Sequence, residues 1–196
     1  MKSFKKLALL GVLAIGLMSS SFALLKVEGA YTAYPNSISG TGVGVDFPLI
    51  PFFPTSVFYH TLSDATISLG NFTIGGKSFS AGDLTFKQSA IEIQIGLPIE
   101  IPLMGIAVGA SAMANFGLVD DGAQTAGVPG NVYSGVYVKM NKGVLPLVTV
   151  FGQAGYLTKV VDGQQLFRDE TSLPSADLSS LDASGLYFRF GANIGL

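Results

Sequence analysis

The chain has no cysteine and a single histidine, His60. A disulfide framework and a thiolate metal site are therefore excluded, and too few soft ligands remain for a transition-metal centre; no metal or other cofactor is expected. Charge is scarce as well. Asp, Glu, Lys and Arg make up 12% of the residues, far below the quarter typical of soluble domains. With 11 basic against 13 acidic residues there is no basic excess to neutralise phosphates, which argues against nucleic acid as a partner. Long apolar runs are also few. Leu7 to Met18 falls short of the ~20 residues a spanning helix needs. Leu103 to Val119 carries the small-xxx-small pair Gly105 and Gly109, but Pro98 and Pro102 precede it, Asn115 interrupts it, and its neighbours are strand-like.

What is present is apolar and glycine-rich: mean hydropathy is +0.50, with 25 glycines and no collagen period. Lys2, Lys5 and Lys6 followed by Leu7–Met18 and Ser19-Ser20-Ser21-Phe22-Ala23 have the form of a secretory signal cut after Ala23. Residues 1–23 are thus expected to leave, and 24–196 to form one domain. Three basic residues go with the signal, so the 173-residue remainder holds eight basic and 13 acidic groups, a balance of −5.

That remainder alternates with a period of two. In Ser184–Leu196, Leu186, Phe188, Phe190, Ala192, Ile194 and Leu196 share one face, while Arg189, Asn193 and three glycines share the other. The same pattern runs through Leu25–Tyr34 and Ser39–Phe47, then Ile91-Ile93-Ile95, Met104-Ile106-Val108 and Val136-Val138-Met140. The glycine run Gly40 to Gly44 has no following lysine or helix and is no phosphate loop; it predicts backbone facing a narrow lumen. Pro48–Pro51, Pro98–Pro102 and Leu145-Pro146-Leu147 recur at a spacing of about 50 residues as proline-marked turns. Each joins two alternating segments, and long polar stretches separate the three units. Three hairpins plus one strand at each end predict eight strands, near 25–34, 39–47, 55–63, 86–96, 103–115, 131–141, 147–159 and 184–196. Both termini and the short turns then lie on one side. The insertion Asp64–Thr85, with Ile67-Ser68-Leu69 and Phe72-Thr73-Ile74, is expected to extend as a hairpin beyond the membrane.

A secretory signal, eight alternating strands, three short turns and a terminal apolar-alternating strand resemble the small Gram-negative outer-membrane β-barrels of the OmpA/OmpX type. The resemblance lies in architecture and covers the whole mature chain. It implies an all-β fold, a closed antiparallel up-and-down eight-stranded transmembrane barrel in the bacterial outer membrane. It also implies contact with outer-membrane lipid and lipopolysaccharide, and handling by the outer-membrane assembly machinery. Such barrels usually end on an aromatic residue; this chain ends on Leu196.

The strand parity points Lys26, Glu28, Asp46, Glu92, Lys139, Gln153 and Arg189 inward, where charges must pair because an eight-stranded barrel is filled by its side chains. The first and last strands are neighbours in such a barrel, so Glu28 is expected to pair with Arg189. A polar plug is favoured over a narrow passive pore. His60 is expected at the outer rim. Ser63, three residues away, faces the opposite side, so no Ser/His dyad forms locally, and a lipid A-modifying enzyme is the less favoured alternative, as is a soluble barrel binding an apolar ligand. Nine of the 13 acids, from Asp64 to Asp182, fall in the outer loops, where they offer a surface to an extracellular partner.

Overall fold

The computed structural model describes residues 25–50, 53–101, 104–173 and 176–195. The signal segment 1–23, the turn residues Pro51 and Pro102, and Leu196 lie outside the described residues. In chain order the elements are β1 (Lys26–Ala33), β2 (Ser39–Ile50), β3 (Phe53–Leu62), β4 (Ala65–Leu69), β5 (Phe72–Ile74), β6 (Lys77–Phe79), β7 (Gly82–Ile101), β8 (Met104–Asp120), β9 (Thr125–Val128), β10 (Val132–Leu145), β11 (Val148–Val161), helix α1 (Gly163–Thr171) and β12 (Gly185–Gly195).

Eight of these strands close a ring in the order β1, β2, β3, β7, β8, β10, β11, β12, every pairing antiparallel. The seam is β1 against β12, as the alternation at the two ends of the chain predicts; it runs from Lys26↔Gly195 to Ala33↔Phe188. The outward faces are apolar and the inward faces carry polar groups, aromatic rings and glycines. Phe188, Phe190 and Ile194 are exposed on the outside while Tyr187, Arg189 and Asn193 are buried within. The glycines make room for rings. A Cβ on Gly44 would stand 2.7 Å from the Phe58 ring, and one on Gly96 would stand 2.6 Å from the Tyr137 hydroxyl.

The register sets the tilt. Partners lead from Lys26 through Asp46, Ser56, Gln94, Ser111, Gly135 and Leu157 to Gly185. Extending Ala33↔Phe188 by three residues returns the path to position 36 on the first strand's side, a shear of about ten residues. Eight strands with that shear tilt by about 40°, so each residue climbs roughly 2.6 Å along the barrel axis. On this scale the outward Tyr31, Tyr59 and Tyr156 fall within about 4 Å of one level, an aromatic girdle round the upper part of the barrel. The exposed Val144, Leu145 and Leu147 of the β10–β11 turn lie roughly 21–25 Å below it, at the lower edge of the ~25 Å apolar band of such barrels.

Above the girdle the loops fold on themselves. β4 continues the sheet beside the upper part of β7, β9 beside that of β8, and β5 and β6 make a small hairpin. Ile67, Leu69, Phe72, Phe79, Phe86 and Phe167 belong to a second apolar core there. Phe72 and Phe79 stack with ring centroids 5.0 Å apart, and Phe167 meets Phe72 edge-on at 5.5 Å. Phe167 comes from α1, a helix the sequence reading did not anticipate. The Asp162 carboxylate caps it by accepting from the Gln164 and Gln165 amides at 3.0 and 3.1 Å. Gly163 lets the helix start against the Gly130 carbonyl, which a Cβ would approach to 2.3 Å.

The chain's lack of cysteine makes the depth measurable. A polarity-sensitive label on Leu147→Cys in lipid vesicles is expected to be quenched by lipid-borne nitroxide and shielded from aqueous iodide, whereas a label on Asp121→Cys shows the reverse. Iodide reaching both sites equally would show that the turn end is in water.

Candidate functional site: the polar layers of the lumen

Side chains of β1, β2, β3, β7, β10, β11 and β12 meet in the barrel interior in two layers. The upper layer is built on Arg189, which is fully buried. Its Nη2 donates to Glu92 Oε2 and stands 3.2 Å from His60 Nε2, and its Nε donates to Thr32 Oγ1 at 2.9 Å. Glu92 also accepts from Gln94 Nε2 at 2.8 Å on its other oxygen, and its Oε2 lies 3.2 Å from His60 Nε2. The guanidinium sits 4.7 Å from the Phe58 ring centroid and 5.6 Å from that of Tyr187, so aromatic faces flank the cation where it has no hydrogen-bond partner.

The lower layer is built on Lys139. Its ammonium donates to Glu28 Oε1, lies 3.9 Å from Asp46 Oδ2, and stands 4.2 Å over the Phe151 ring. Asn193 Nδ2 donates to the same Glu28 oxygen at 3.3 Å. Between the layers Gln153 Nε2 donates to the Tyr187 hydroxyl at 2.7 Å. Lys26 is half-buried at the lower mouth, beneath both layers.

The expected Glu28–Arg189 pair is not formed. Parity places both residues inside, but the register sets Arg189 beside Thr32 and Glu28 beside Asn193. Four residues separate Thr32 from Glu28, about 13 Å of strand. Each charge finds its partner across the lumen instead, Arg189 on β7 and Lys139 on β1. His60 gains a partner set the sequence did not show. It lies near the outer end of β3, as expected, but inside the wall: fully buried in the upper layer, stacked on Phe58 at 5.6 Å with Tyr34 edge-on at 6.5 Å. Its described polar partners are a guanidinium and a carboxylate, and Ser63 is engaged elsewhere, accepting from the Ser39 amide at 3.1 Å. The barrel interior therefore builds no serine–histidine dyad from these residues. The alternation that places Arg189 and Lys139 inward places Tyr187 and Tyr137 there too, and the structure buries both; the inward rings of Phe58 and Phe151 were missed, and the glycines opposite were the available signal.

At the outer end the loop acids are partly engaged. Lys159 Nζ donates to Asp182 Oδ2 at 2.8 Å and lies 3.2 Å from Asp162 Oδ2, tying β11 to both ends of the α1 loop. Burial pushes the Asp182 carboxyl up, but Lys159 and the Ser184 amide hold it below the usual carboxylate range. No group of metal-ligating side chains occurs among the described residues.

No protein-family model matches the chain, and no curated protein matches it in sequence. Solved structures do. Neisserial surface protein A (NspA) superposes with a TM-score of 0.50 at 12% identity, over 88% of this chain and 94% of that one. The N-terminal β-barrel domain of Pseudomonas aeruginosa OprF gives 0.43 at 9% identity, over 87% and 95%. Ail, the attachment invasion locus protein of Yersinia pestis, gives 0.40 at 7% identity, over 87% and 93%. The likeness to NspA is one of fold: the chain is a closed, antiparallel eight-stranded β-barrel.

The two layers differ in redundancy, which predicts an order of stabilities. Glu92→Gln leaves a buried guanidinium without its carboxylate and is expected to destabilise the barrel by about 3–5 kcal/mol. Glu28→Gln leaves Lys139 with Asp46 nearby and should lose clearly less. Urea unfolding in lipid vesicles, followed by heat-modifiable gel migration, measures both. Equal losses, or the reverse order, would refute the two-layer assignment.

Proposed function

We propose that this protein is an integral outer-membrane barrel with a plugged lumen, serving envelope integrity or surface interaction and not transport. The observation that carries this is the filling of the interior. Two ion-paired layers lie one above the other, Phe58, Phe151 and Tyr187 pack against them, and Tyr137 reaches across to the Gly96 backbone. An eight-stranded ring leaves room for little else. The folded outer cap supports the surface role. Its own apolar core holds the loops in a defined shape and presents Asp169, Glu170 and Asp177 at the exposed α1 side as a candidate face for an extracellular partner. Lipopolysaccharide and the outer-membrane assembly machinery complete the expected partners.

Planar-bilayer recording on the purified, folded protein tests the plug. A silent bilayer is expected. Reproducible conductance steps whose size changes in Glu92→Gln would favour a narrow pore and sink the proposal.

A further inference from the structure

On the lipid-facing wall the outward side chains of β1, β2 and β3 shrink to valine. Val27, Val43, Val45 and Val57 line an open groove of about 380 Å³, bounded by Tyr59 and Ile91. The exposed Gly29 pairs with Val43 and has nothing within 4 Å of the Cβ it lacks, which deepens the recess. On the axial scale set by the strand tilt the groove runs about 15 Å, from the level of Val27 to that of Ile91. A methylene displaces close to the ~30 Å³ of a liquid water, so the groove holds on the order of a dozen carbons.

The two ends differ chemically. At the upper end the Tyr59 hydroxyl donates to Ser89 Oγ at 3.0 Å. Further up the same outward column of β7 stands Lys87, whose side chain remains 53% exposed although Asp120 pairs with it at 2.7 Å. An apolar trough ending in hydroxyls and then a cation has the polarity of an anionic amphiphile standing in the outer leaflet. A second copy of this barrel, convex all round, would bridge the recess without filling it, whereas a hydrocarbon chain fills it.

We propose that this groove is a lipid site taking one acyl chain of lipid A, the phosphorylated and multiply acylated glycolipid of the outer leaflet, with the Tyr59–Ser89 hydroxyls at the head of the chain and Lys87 on a phosphate. The proposal rests on the outer-membrane placement and names a wall contact that the plugged-lumen function does not require. Val43 and Val57 set the depth of the trough, and Lys87 selects the charged headgroup.

Native mass spectrometry of the folded, detergent-purified protein tests it with three probes: lipid A, dephosphorylated lipid A and a phosphatidylethanolamine. A one-to-one lipid A adduct is expected, reduced at least tenfold by Val43→Trp or Val57→Phe, which fill the trough. Lys87→Ala and dephosphorylation should each weaken the adduct, and combining them should weaken it no further. Val138→Trp, outward on β10 away from the groove, should leave it unchanged. Heat-modifiable migration of every variant establishes that it is folded. An adduct indifferent to both filling variants, an equally strong phosphatidylethanolamine adduct, or a dimer that Val43→Trp dissolves would each overturn the proposal. A folded wild-type barrel without adduct rejects the groove alone, whereas a wild type that is soluble without detergent rejects the membrane reading itself.

Discussion

The width of an eight-stranded ring is the constraint from which the rest follows. With a shear of about ten residues the interior admits one layer of side chains at a time, so a charge placed there must be neutralised by something at its own height. Arg189 and Glu92 meet this requirement in the upper layer, with His60 and Thr32 completing the contacts. Lys139, Glu28 and Asp46 meet it in the lower. Rings and glycines are the other half of the same packing problem. Tyr137 and Phe58 can occupy the lumen because Gly96 and Gly44 face them, and Phe58, Tyr187 and Phe151 cover parts of the cations that no oxygen reaches.

Parity and height are separate quantities, and only the first can be read from a sequence. Alternation with a period of two told which face Glu28, Glu92, Lys139 and Arg189 occupy, and the proline-marked turns told how many strands share the load. Closure between the first and last strands followed from those two facts. Which charges meet across the lumen depends on the shear, a property of the whole ring that accumulates over eight separate registers. Glu28 and Arg189 are on adjacent strands and still miss each other by four residues, because adjacency in order says nothing about level. His60 shows the same gap. Its strand was legible, but of the groups around it only Phe58 is local; Glu92, Arg189 and Tyr34 come from elsewhere in the chain.

The outer cap was legible only in fragments. Ile67, Leu69, Phe72 and Ile74 alternate visibly within the Asp64–Thr85 insertion, and they do form strands above the membrane. Their burial depends on Phe167, contributed by a helix nearly a hundred residues later. The local signal for that helix was an aspartate, Asp162, placed to accept from the first free amides. Nine residues of helix without its tertiary contacts would not be stable, so the signal has meaning only once the barrel brings Phe72, Phe86 and Phe167 together.

The two ends of the barrel therefore solve opposite problems. At the turn end β10 and β11 stay paired to Leu145 and Val148 and present Val144, Leu145 and Leu147 on the outside. At the loop end β7 and β8 continue past the tyrosine girdle into water, where exposed sheet edges would invite pairing with other chains. β4 and β9 cover parts of those edges, and the aromatic core beneath α1 holds the cover in place. An ordered outer cap is thus a consequence of strands that outrun the membrane on one side only. The same asymmetry carries Lys87 about 13 Å above the tyrosine level on the outward face of β7, beside Asp120.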